Sequence, residues 1–523
     1  MLGQKRNKLI DKFNNLKNIK KKLKFGEKIN FFTTKEQIFR KKVNIMLASI
    51  INNKYLQYPN HKYYYSPSEF YPEYIFDDIS LENNHVYSAV RNLFFQLGLD
   101  IENFGTTRWN PLGKYIKPGD NVFVLCNFVF HKKGSEDETA FYAKCTHPSV
   151  IRAIIDYVLI ANKNKGQIAV GNAPIQSCDF EKIIKDSHLE LIKKFYERKG
   201  IYIKIKDLRS YSIKEKWDGL VYSYNNVNEI AINLFEKSYL NDFYNITGKN
   251  KIKFRVSDYN PEKTENSHRL NFHNYSIAQD IIESDVIINV PKLKTHEKVG
   301  ITTALKGYVG IVANKDCLAH HRFGYNKLGG DEYPDGHISL LISSLLHDFV
   351  QRRRYPMIFF PLLFKLDKNY RRFLRGVLNK SLAGGWYGND TAWRMALDLA
   401  NIAHFCDKSG KLCKSLKRQN LVLIDGIIAG EGNGPLKPRP VKAQCLIFSD
   451  NAVLADLIAC KIMGWPEEKI PLIKNAIKEE RLFRQLDNSF IYFNSEKADL
   501  TSIKPALGRK FIPPDGWIDI ILK

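Results

Sequence analysis

The chain has 523 residues, with 80 Lys and Arg against 55 Asp and Glu, a formal charge of +25. A hydrophobic content of 44% and a charged content of 26% suit a globular protein with a large core. No apolar run approaches the roughly 18 residues of a membrane-spanning helix, and no two of the eight cysteines form a C-x-x-C pair, so zinc-ribbon and ferredoxin spacings are absent.

Residues 1–44 carry fourteen Lys or Arg against three Asp or Glu. They open a basic, helix-tending extension expected over 1–60. It has no apolar stretch of a secretory signal, so a cytoplasmic location is expected. Charge of this kind suits a polyanion or an acidic membrane surface. No zinc finger, RNP-type motif or recognition helix supports sequence-specific nucleic-acid binding. The aromatic tract HKYYYSPSEFYPEY (61–74) follows and reads as an ordered loop.

An α/β domain is expected over 61–475, with a helical insertion at about 325–415 and a C-terminal segment over 476–523. NHVYSAVRNLFFQLGLD (84–100) has helical spacing of apolar residues. VFVLCNFVF (122–130) has the length and β-branched character of a buried strand. Pro148 opens a helix, with Thr146 or His147 near its cap. QIAVG (167–171) is a strand, 179–199 a helix and IYIKI (201–205) a strand. DVIINV (285–290), LVLID (421–425) and AQCLIFS (443–449) continue the series, with a helix expected from Thr302 and another over 451–464. Alternating strands and helices predict a mostly parallel sheet with helices on both faces.

In such sheets ligands bind beyond the carboxyl ends of strands. Asn127, Asn172, the block Lys292–His296, and Asp425 with the EGNGP loop (431–435) all fall there. Lys292 and Lys294 offer mobile charges for a phosphate or carboxylate. In an extended segment they could face opposite ways, so that one reaches a ligand and one does not. Thr295, Thr302, Thr303 and Lys306 add hydroxyls, a helix start and a further cation. His296, His320 and His321 could shuttle protons, contact an anion or ligate a metal, although no zinc spacing is matched. Asp425 and Glu431 are the candidate carboxylates for a base or a metal, and Asn433 lies in the same small-residue loop. Asp456 could cap or pair. Asp390 and Arg394 sit four residues apart on a helix. The Arg-flanked apolar stretch 352–378 is too short and Pro-interrupted to span a bilayer, but could lie in an anionic interface.

The blocks YPEY (71–74), WNPLG (109–113), IKPGD (116–120), THPSVIRAIIDY (146–157), INVPKLKTH (288–296), TTALKG (302–307), KDCLAHH (315–321), GGDEYP (329–334), WYGNDTAWR (386–394) and IDGI…EGNGP (424–435) resemble, in this order, the family known as domain of unknown function 362. The family has no assigned activity. Some relatives carry an iron–sulfur module, for which this chain lacks the cysteines. Relatives of the long form resemble proteins of surface-polysaccharide gene neighbourhoods. The resemblance implies Lys-Pro-Asn where this chain has Leu125-Cys126-Asn127, Gly-Asp where it has Gly171-Asn172, and Asn where it has Gly307. If the lost residues are catalytic in relatives, this copy is altered there.

Two readings follow from the sequence. One is an enzyme acting on an anionic metabolite or glycan precursor. Asn127, Lys292, Lys294, Thr295, Thr302, Thr303, Lys306, His320, His321 and Asn433 would bind it, and His296, Asp425 and Glu431 would act on it, with a divalent metal as a cofactor the site could accept. The other is a non-catalytic adaptor for an anionic polymer or membrane surface.

Overall fold

The DVIINV run forms a strand because every residue of Val286–Val290 is buried on both faces of a sheet, the environment β-branched side chains fill best. In the computed structural model the described residues are 45–216, 219–249, 251–334, 336–352, 359–378, 383–483 and 486–523. The chain divides into residues 1–45 and 46–523, and the second unit is described below. The basic extension, as far as residue 44, lies outside the described residues.

Twelve strands form the main sheet. They are β1 (Met46–Asn52), β2 (Val122–Cys126), β3 (Ile168–Asn172), β4 (Ile203–Asp207), β5 (Val286–Val290), β6 (Lys292–His296), β7 (Gly300–Thr302), β8 (Gln419–Glu431), β9 (Arg439–Val441), β10 (Cys445–Ser449), β11 (Ser489–Phe493) and β12 (Glu496–Ala498). The spatial order is β12-β11-β1-β10-β8-β5-β2-β3-β4, with β6, β7 and β9 attached beside β8. From β8 through β5, β2 and β3 to β4 all neighbours are parallel. β10 runs antiparallel to both β8 and β1. The sheet is mixed and mostly parallel.

The principal helices are α1 (His85–Gln96), α2 (Pro148–Asn162), α3 (Phe180–Asp186), α4 (Leu189–Arg198), α5 (Ala304–Gly307), α6 (Ile338–Arg352), α7 (Phe360–Leu378), α8 (Ala392–Phe405) and α9 (Ala452–Met463). They cover both faces. Phe94 of α1 packs edge-on against Phe448 of β10 on one side. Ala48, Ile50, Ile287 and Ile447 join α8 and α9 in the main core on the other. The helix expected over 179–199 is broken at His188, whose positive φ of 56° starts α4 anew.

Three expectations about organisation change. MLASIIN (46–52) is a strand pairing with β10 and β11, not part of a helical extension: long-range pairing and burial override its basic neighbourhood. Residues 489–498 add two strands to the sheet edge, so the C-terminal segment continues the same sheet. The stretch 325–415 is of two kinds. α6 and α7 form an outlying hairpin around Tyr333, Leu340 and Leu374. α8 is buried in the main core through Met395, Leu399 and Ile402. Among the described residues no helix is long and apolar enough to cross a membrane.

Candidate functional site

The direction of chain progression reverses between β2 and β5. From β2 the chain builds outward through β3 to β4, then returns to place β5 on the other side of β2 and β8 beyond it. Ligands bind at such reversals in open α/β sheets, so the carboxyl ends of β2 and β5 define the candidate crevice. Thr146 ties the crevice floor together. Its hydroxyl donates to the Val290 carbonyl (2.7 Å) and accepts from the Asn127 N–H (2.9 Å).

Pro291, which lacks an N–H, ends β5. The chain does not then enter a helix at Thr302. It forms a hairpin in which β6 pairs antiparallel with β7, Lys294 opposite Thr302 and His296 opposite Gly300. The two-residue period of a strand places Lys292, Lys294 and His296 on one face. The lysines thus do not face opposite ways, and their charges act on each other. Helix α5 is only four residues long and begins after Thr303. Its first N–H groups, on Ala304 and Leu305, donate to the Asp456 carboxylate (2.7 and 3.0 Å). The helix start expected to hold a ligand is thus filled by the protein, and Thr303 faces that same carboxylate. Burial raises the Asp456 pKa to about 7. A Cβ at Gly307 would lie 2.8 Å from the Asn289 amide oxygen, so a larger residue there requires the Asn289 side chain to shift.

Two polar networks grow from β6. In the first, Lys292 pairs with Asp425 at 3.0 Å, both side chains fully buried. Tyr58 donates to the same carboxylate (2.6 Å) and accepts from Lys292 (2.5 Å). The His147 N–H donates to the other oxygen (3.0 Å), and its ring stacks on Tyr58 at 3.8 Å. Burial pulls the Lys292 ammonium below its ordinary range, opposed by the Asp425 charge. Burial and the Lys292 charge hold His147 neutral. Asp425 is thus engaged on both oxygens.

In the second network Lys294 and Lys306 have no carboxylate acting on them. Lys294 donates to the Asn127 side-chain oxygen and to the Lys144 carbonyl (2.8 Å). Burial lowers its pKa to about 7. Lys306 is 6% exposed, and its ammonium has no hydrogen-bond or ion-pair partner among the described residues. Burial and the charge of Lys298 bring it to about 7, and no carboxylate offsets them. Lys315 donates to the Val309 carbonyl (2.9 Å) and is also lowered to about 7, by burial and by Lys306. Lys298 reaches the Ala383 carbonyl and the Ser257 hydroxyl. Its pKa falls to about 8, burial outweighing the carboxylates around it.

Burial, reinforced by these lysines, holds His296, His320 and His321 well below the usual imidazole range. The Nδ1 of His296 accepts from the Lys298 N–H (3.1 Å), which leaves the neutral ring's proton on Nε2. The His320 Nδ1 lies 3.4 Å from the Leu318 carbonyl. The His321 Nδ1 and the Thr302 hydroxyl are buried and have no hydrogen-bond partner among the described residues. The first belongs to the cavity under the α6–α7 hairpin, and the second lies on β7 opposite Lys294.

The remaining expected residues are elsewhere. Glu431 is locked by Arg439, by Arg509 (2.9 Å) and by the Ile512 N–H (2.8 Å), and the two guanidiniums with that N–H hold its carboxyl low against burial. Asn433 exchanges hydrogen bonds with Asp515. Thr295 donates to the Gly432 carbonyl (2.6 Å), binding the EGNGP loop to the back of β6. Asn172 donates to the Cys126 carbonyl (2.6 Å). Asp390 and Arg394 do pair, at 3.4 Å, although Arg394 lies closer to Asp242. Among the described residues no three His, Cys, Asp or Glu side chains come together as a metal-ligand set. Sequence reasoning overlooked Lys298, Lys315, Tyr58 and His147. Lys298 stands two residues after His296, in the turn between β6 and β7.

Residues 226–461 match the family described as Domain of unknown function (DUF362). The family assignment holds for this segment, which is less than half of the chain. The DUF362 match takes in β5 to β8, both lysine networks and most of α9, whereas β2 with Asn127, and Tyr58, come from the preceding part of the chain. No curated protein matches the chain. A crystal structure of a Thermotoga maritima protein from the Northeast Structural Genomics Consortium is 12% identical, with a TM-score of 0.29. That similarity covers 67% of this chain and 56% of the other, so the chain spans little more than half of that protein's length.

Proposed function

We propose that this chain is an enzyme that binds a phosphorylated or carboxylated small molecule or glycan precursor in the β2–β5 crevice. The observation that carries the reading is Lys306: a buried ammonium with no carboxylate acting on it, in one field with Lys294, Lys298 and Lys315. Such an arrangement costs stability, and proteins tolerate that cost mainly where a ligand supplies the missing charge. Lys294, Lys306 and the Thr302 hydroxyl would hold the anion. His296, neutral with its proton on Nε2, would donate to it. Asp425 fixes Lys292 rather than serving as a free base, and Glu431 is structural. The eight free cysteines suit a cytoplasmic setting, and the family resemblance of the long form suggests polysaccharide biosynthesis as its context.

Lysines with pKa values near 7 are half neutral at that pH and regain charge when an anion arrives. Binding should therefore take up protons just above pH 7, and affinity should fall as pH rises further. Calorimetry with inorganic sulfate, which does not itself titrate there, in two buffers of different ionisation heat reads this directly. Saturable binding with net proton uptake at pH 7.5, lost in Lys294→Met, is expected. Absence of saturable binding, or binding without proton uptake, would remove the crevice as the site.

A further inference from the structure

The α6–α7 hairpin carries a surface that the crevice does not use. On α6, Ile338, Ile342, Leu345 and Phe349 recur at helical spacing and are 41–69% exposed. At the start of α7 and along it, Phe359, Leu362, Leu366, Phe373 and Val377 form a second stripe, each at least 50% exposed. Lone exposed apolar residues are ordinary, but two aligned stripes on adjacent helices are not.

The charges beside them have one sign. Lys365, Lys368, Arg372 and Arg375 are exposed and occupy a single flank of α7 next to its apolar stripe. The two carboxylates of the hairpin point inward instead. Asp367 meets His347 (2.8 Å), and Asp348 meets Arg255 (2.8 Å). The described outer surface is thus apolar with a positive border. α7 has the amphipathic form of a helix that lies in a bilayer interface, its apolar side among acyl chains and its cations among headgroups.

The geometry points to docking of the α6–α7 hairpin on an anionic lipid surface. Charge selects this occupant over two others. A second copy of the chain would bring like-charged borders together, and residues 1–44, with fourteen Lys or Arg against three Asp or Glu, would do the same. The inward side of the hairpin lines a cavity with His321, Glu332 and Arg255, so a docked hairpin sets that cavity beside the membrane.

Sedimentation of the full chain with phosphatidylcholine vesicles, with and without about 30% phosphatidylserine, tests this. The wild type should pellet with the anionic vesicles, and Leu362→Glu combined with Phe373→Glu should weaken that by about tenfold or more. Both substituted residues are exposed, so circular dichroism should be unchanged. In a second measurement, Phe373→Trp should shift its emission to the blue when anionic vesicles are added. Equal pelleting of the double variant and the wild type would place the contact elsewhere and overturn the proposal. So would a wild-type dimer that the double variant dissociates without any vesicle binding.

Discussion

Lys292 and Lys306 are both buried lysines, yet their surroundings are opposite. Lys292 meets a carboxylate at 3.0 Å and a tyrosine hydroxyl, inside a shell closed by His147. Lys306 meets no carboxylate and lies near Lys298. The first arrangement is complete without a ligand and holds the start of β6 against β8. The second is incomplete, and the Thr302 hydroxyl, on the strand before its helix, also lacks a partner among the described residues. Within one hairpin and the helix after it, the protein separates a cation with its own counter-charge from a cation without one.

The contrast breaks most visibly if Asp425 is removed. Asp425→Ala leaves Lys292 buried without its counter-charge, a change that typically costs about 3–5 kcal/mol. Urea denaturation should show a loss of that size. A loss within about 0.5 kcal/mol, the range of a neutral surface change, would mean that the pair is not structural.

A smaller effect is expected at Glu431, which the sequence offered as catalytic and the structure gives to two arginines. Arg439 and Arg509 are half exposed, so solvent screens their share, while the buried carboxylate still loses its charged hydrogen bonds. Glu431→Gln should cost about 2 kcal/mol in thermal unfolding and leave sulfate binding intact. Loss of binding at unchanged stability would return Glu431 to the site.

Much of this was legible in the sequence because burial writes itself into composition. β2, β3, β5 and β10 are continuous apolar runs, and the density of Lys, Thr and His after Val290 coincides with the buried lysine networks of β6 and α5. What the sequence concealed depends on long-range partners. Nothing local to Lys292 or Lys306 says which of them meets a carboxylate 133 residues further on or none at all. The β6–β7 hairpin has strands of five and three residues, held by Trp517, whose indole donates to the Glu297 carbonyl (2.6 Å) from the far end of the chain. The local sequence TTALKG favours a helix instead. Asp456 was ambiguous for the same reason: its N–H partners on α5 lie about 150 residues upstream, as the separations of 152 and 151 show.

The central claim is that Lys306 is held unpaired for a ligand, and Lys306→Met tests it most directly. The substitution keeps the length of the chain and removes a buried, uncompensated charge. The account predicts that the ligand-free variant is as stable as the wild type or up to about 1 kcal/mol more stable, and that sulfate no longer raises its melting temperature. Above pH 7 the wild type should close that gap. The unfolded chain binds more protons than the folded one between the lowered pKa of about 7 and the ordinary lysine range, so the wild type's stability rises with pH there. A variant that is clearly destabilised, or that still responds to sulfate as the wild type does, would contradict the account.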